Sequence, residues 1–142
     1  MIRALTAATT ALMLLALPVS ASSQSQDEIN ATLGGDPDLW DGLFAVALAD
    51  QIRENCDTIQ ARSLRATAFI YDLYSTARGY GFSRAEIRAF QVDDGTAERM
   101  RAQVHDYFDE NGVREDAPET YCVLGLAEIA AETSAGTLLR AR

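Results

Sequence analysis

From Asp36 onward, apolar residues recur three and four positions apart, and this spacing predicts a succession of helices. Asp36 and Pro37 supply an N-cap and a first-turn proline. In the helix they open, Trp40, Phe44, Leu48 and Ile52 follow one another at four-residue steps, and it should end within residues 54–56. A second helix is predicted over residues 62–78, with Ala66, Phe69, Ile70, Leu73 and Ala77 as its buried face. Ser83 and Glu86 form a capping box that starts a short third helix through Gln91, with Ile87 and Phe90 turned inward. Asp93 or Asp94 caps a fourth helix, about residues 96–110, striped by Ala97, Met100, Val104 and Phe108 and stopped by Asn111-Gly112. A fifth begins at residues 116–119 and is expected to bury Cys122, Leu126 and Ile129. No run alternates with period two, so no strand is expected. Residues 58–61 read as a connection, and residues 137–142 as a last turn or a frayed tail. The pattern predicts an all-α fold, a compact bundle of about five helices forming one domain over residues 36–142.

The pattern changes character ahead of Asp36. Arg3 is followed by the uncharged, mostly apolar stretch 4–17, then by Pro18 and the small residues Val19-Ser20-Ala21. This is the layout of a secretory signal peptide, residues 1–21, with cleavage expected after Ala21. The apolar stretch is short for a membrane span, which needs about 20 residues, so no stable membrane insertion is expected after cleavage. Residues 22–35 are small and polar at first and end in Gly34-Gly35, which reads as a flexible N-terminal arm. The expected location is periplasmic or secreted.

Composition narrows the function classes. The chain has 12 basic residues, 21 acidic residues and a net charge of -9. Such a chain is repelled by nucleic acid and by anionic lipid, so no nucleic-acid partner is expected. All the basic residues are arginine, which removes Schiff-base and general-base lysine chemistry. Cys56 and Cys122 form an even pair in a small exported chain, and a disulfide between them is expected. They are not spaced as Cys-x-x-Cys.

No catalytic, cofactor or metal set emerges. His105 is the lone histidine, and neither a nucleophile elbow nor four zinc ligands accompany it. Asp72 interrupts an aromatic surface between Tyr71 and Tyr74 and reads as exposed or Arg-paired. The acidic run around Asp109, Glu110, Glu115 and Asp116 misses the calcium-loop template, with Arg114 where glycine is needed. The remaining candidate is the corner Gly79-Tyr80-Gly81-Phe82. Its rings either grip a partner or fold back into the core. Arg78, Arg84 and Arg88 give it local positive character, so Arg78, Tyr80, Phe82, Arg84 and Arg88 are the candidate interaction surface.

Asn55-Cys56, the stretch from Ala77 through Gly79-Tyr80-Gly81-Phe82-Ser83 to Ile87, Asn111-Gly112-Val113 and Pro118-Glu119-Thr120-Tyr121-Cys122 occur in this order. In that order the chain resembles a family of small exported alphaproteobacterial proteins catalogued as domain of unknown function 5333. The resemblance spans about residues 36–139. It implies a Gram-negative envelope context and no particular activity. The expected function is a non-enzymatic envelope binding or interaction module with an unknown envelope protein as partner. The alternatives are an acid- or stress-responsive periplasmic chaperone and, behind it, a carboxylate-based hydrolase. Monomer and dimer are not distinguished.

Overall fold

The computed structural model describes residues 24–142. The signal-peptide reading of residues 1–21, with its cleavage point, lies outside them. The described residues form seven helices and two short strands: α1 Gln26–Gly35, α2 Pro37–Asn55, β1 Ile59–Ala61, α3 Ser63–Gly79, α4 Arg84–Gln91, α5 Asp94–Glu110, α6 Pro118–Ala131, α7 Ser134–Thr137 and β2 Leu139–Ala141. None of the helices is long and apolar enough to cross a membrane.

The starts of α2, α4 and α5 follow the sequence signals. Asp36, Ser83 and Asp93 accept from the backbone N–H of Leu39, Glu86 and Thr96. The arm expected to be flexible is the first correction. Its residues 26–35 are helical, opened by a reciprocal capping box between Ser25 and Glu28, with Ile29 and Leu33 fully buried. Two apolar residues four apart are a faint signal in the sequence, and tertiary burial completes it.

Two apolar clusters share α2 as their common wall. One gathers Ile29, Leu33, Leu39, Trp40, Ile87 and Phe90 from α1, α2 and α4. The other joins Leu48 and Ile52 of α2 to Ile59, Phe108, Leu124 and Leu139. Met100 packs against both. Arg99 ties the first cluster down: its guanidinium lies 3.7 Å from the Trp40 ring centroid and donates to the Gly34 carbonyl at 2.6 Å. A cation is favoured in both places, over an aromatic face and at a helix C-terminus.

The strands are a second correction. Ile59, Gln60 and Ala61 pair antiparallel with Ala141, Arg140 and Leu139. Neither the connection nor the tail is loose, since Ile59 and Leu139 are both buried. Three-residue strands far apart in sequence carry no period to detect. Cys56 and Cys122 are bonded, with sulfurs 2.03 Å apart, and join the C-cap of α2 to the first turns of α6.

The buried face of α6 is a third correction. Tyr121, Leu124, Gly125 and Glu128 point inward. Leu126 is exposed, while Cys122 and Ile129 are half-buried. The face is set by close approach. A Cβ on Gly125 would lie 2.4 Å from Ile59 and 2.6 Å from Ile52. The face also carries a carboxylate, which an apolar count passes over.

Candidate functional site

Helix α2 is apolar on nearly every face, but the fold does not cover it all. Leu43, Val46 and Ala47 stay half-buried. They form the floor of a furrow walled by α3 (Ile70, Leu73, Tyr74) on one side and by α5 (Ala97, Met100) on the other, with Phe90 and Gln91 of α4 between. The furrow is continuous. A hollow of ≈ 260 Å³ between α2, α3 and α4 shares Leu43 and Val46 with one of ≈ 370 Å³, and that shares Ala47, Asp50 and Met100 with a wide end of ≈ 530 Å³. The wide end turns polar at Asp50, Arg101, His105 and Glu115.

The furrow exists because α3 is only partly covered. Of its expected buried face, only Ala77 is fully inside. Ala66, Phe69 and Leu73 are half-buried and Ile70 is 48% exposed. The periodicity places these residues on one side of the helix correctly. It does not say what lies against that side. Leu64 at 91% and Tyr71 at 68% continue the exposed apolar surface of α3.

The sequence-predicted corner behaves differently. Phe82 folds into the core at 6% exposure, so it is no surface contact. Tyr80 stacks on it with ring centroids 6.0 Å apart and donates its hydroxyl to Asp36. Asp36 is thereby held below the usual carboxylate range, first by the Tyr80 hydroxyl and then by the Leu39 N–H. The same bond pushes the Tyr80 phenol up. Arg78 donates to the Phe82 carbonyl. Gly81, at φ 88°, makes the turn. The corner clamps α3 and α4 onto the start of α2, and Arg78, Tyr80, Arg84 and Arg88 remain exposed there. His105 is exposed on α5, its Nδ1 3.3 Å from Asp109 at i,i+4. Asp72 is exposed on α3.

One polar cluster was not anticipated. Glu128 is 5% exposed, the buried charged residue of the described core. It accepts from the Tyr107 hydroxyl at 2.5 Å and from the Thr133 hydroxyl. Tyr107 is pushed up to about 12, chiefly by this bond. The cluster joins α5 to the α6–α7 corner and does not line the furrow. Among the described residues no group of three or more His, Cys, Asp or Glu converges as a metal ion would require.

Fold and furrow together define a class: a small, disulfide-tied helical domain with one partly open central helix. The chain belongs to a family of unknown function, DUF5333, which matches residues 31–140. No curated protein and no solved structure matches it.

Proposed function

We propose that this protein is a non-enzymatic binding module of the cell envelope, and that the furrow along α2 is its docking surface. One observation carries the reading: the central helix keeps Leu43, Val46 and Ala47 half-open between apolar walls. Apolar surface left in water is unfavourable at about 25 cal/mol per Å², and a contiguous apolar furrow is the kind of surface that a partner covers. The exported location rests on the signal-peptide pattern at residues 1–21 and on a disulfide of the kind that persists in oxidising compartments. A hydrolase would need an acid kept protonated by burial. Of the acids at the wide end, Glu115 is exposed, and Asp50 is half-exposed and pairs with Arg53 at 2.5 Å.

A photo-crosslinking residue at Val46, with Glu119 on α6 as control, tests the reading in envelope extracts. A discrete adduct at 46, absent at 119 and lost on Leu43→Glu, is expected. The same adducts at both positions, or none at either, would sink it.

An acid-responsive chaperone is the second reading, favoured by the helix caps. Asp36, Glu86 and Asp93 all sit below the usual carboxylate range through bonds to Tyr80, Ser83 and Thr96. Acid therefore weakens three helix starts together: the Asp36 and Asp93 caps, and the Glu86 half of the α4 capping box, whose Ser83 cap does not titrate.

A further inference from the structure

Charge is distributed unevenly along the furrow, and this gives the docking surface a direction. Its narrow end, between α2, α3 and α4, is lined almost wholly by apolar side chains. Its wide end is rimmed by Asp50 and Glu115 and runs on into a hollow bounded by Asp109 and Asp116. Against these four carboxylates stand Arg101, Arg114 and His105. Each of the three is already paired, with Glu98, Asp116 and Asp109 respectively. Asp50 is paired with Arg53 of its own helix, so Glu115 is the rim carboxylate without an ion-pair partner among the described residues. The C-terminal end of α2 lies on the same side and adds the negative pole of its dipole.

We propose that the occupant of the furrow is a single apolar α-helix of another protein, lying antiparallel to α2 with basic residues at its N-terminal end over the Asp50–Glu115 rim. The inference rests on the furrow being the docking surface. Leu39 and Gln51, the furthest α2 residues that line it, are about 18 Å apart along the helix, so three to four turns of an occupant fit. The antiparallel direction sets the positive N-terminus of the incoming helix against the negative rim. The same rim argues against an acyl chain with an anionic headgroup. A second copy of this chain would bring another net charge of -9 against the first.

Two labelled helical peptides of about 16 residues, with the same Leu/Ala body, test this. One opens with three lysines and the other with three glutamates. The lysine peptide should bind about 10-fold tighter at low salt, and the gap should narrow at high salt as screening shortens to a few Å. Glu115→Gln should weaken the lysine peptide about 3-fold and leave the glutamate peptide unweakened. Val46→Asp should abolish binding of both, with circular dichroism verifying the fold. Equal affinities that both vanish in Val46→Asp would overturn the charge direction and leave the docking surface standing. No binding of either peptide or of sodium palmitate, or binding indifferent to Val46→Asp, would overturn both. Sodium palmitate saturating the furrow where neither peptide binds overturns the helix occupant, as does a sedimenting dimer that Val46→Asp dissolves.

Discussion

Gly136 lies so close to the α6 backbone that a Cβ there would sit 1.9 Å from the Glu128 carbonyl oxygen. Backbone on both sides leaves nothing free to rotate away. Gly136→Ala should destabilise the protein by about 3 kcal/mol in urea unfolding. Gly35→Ala, with nothing within 4 Å of the added Cβ, should be neutral or gain up to about 1 kcal/mol. Equal behaviour of the two would refute this packing of α7. The residue that Gly136 abuts also organises the polar cluster. Glu128→Leu strands the hydroxyls of Tyr107 and Thr133 and should cost about 2 kcal/mol, whereas Glu128→Gln keeps partners and should cost less. Tyr107 offers a separate readout. Its folded-state value is raised to about 12, above an ordinary phenol near 10. The stability it contributes is present below about pH 10 and lost as pH rises through about 12. Tyr80 and Tyr121 are also raised, by less, so absorbance titration of the tyrosinates should show Tyr107 as the last group, and it moves toward the ordinary value in Glu128→Gln. Glu128 was invisible in the sequence because one acid among 21 carries no mark of its surroundings.

At the scale of elements, the disulfide and the caps divide the work of holding helices together. Cys56 and Cys122 close a separation of 66 residues, and chain entropy assigns such a closure roughly 4 kcal/mol. Replacing both cysteines with alanine should lower stability by about that amount in denaturant unfolding, and a loss near zero would mean that the β1–β2 pair and α6 packing already fix the ends. The caps set the acid limit. Asp36, Glu86 and Asp93 titrate below their ordinary values. Their contribution is complete above about pH 4.5 and lost as pH falls through the lowered values. The melting temperature should therefore fall below about pH 4, and fall less in the Asp36→Asn, Asp93→Asn double variant, which has less acid-sensitive capping to lose. These caps were legible as sequence because each is a local pattern of three or four residues. The strand pair was not, since Ile59 and Leu139 acquire their partners only through chain closure.

At the scale of the whole molecule, the chain carries more apolar surface than its own helices cover. Leu64, Ile70, Tyr71, Leu126 and Val123 are all exposed. The binding-module and chaperone readings differ in when that surface grows. A dye that fluoresces on apolar surface should bind weakly at pH 7. If acid loosens the packing at about pH 3, its fluorescence should rise several-fold and aggregation of a client should be suppressed. A protein that stays native and inert there sinks the chaperone reading. The furrow reading is untouched, because it requires only the native fold.

Much of this protein is determined locally. The cap residues, the proline at the start of α2 and the three-and-four spacing are short-range, and they place the starts and apolar faces of α2 to α5 nearly where the structure has them. The cysteine pair follows from count and context. Tertiary structure decided the rest. It made a helix of residues 26–35 by burying Ile29 and Leu33, turned α6 toward Gly125 and Glu128, and paired the tail with β1. It also left one side of α2 open between α3 and α5. Periodicity reports which side of a helix is apolar, because that depends on backbone geometry alone. Whether the side is covered depends on where distant segments pack, and the furrow is where nothing in the described chain does.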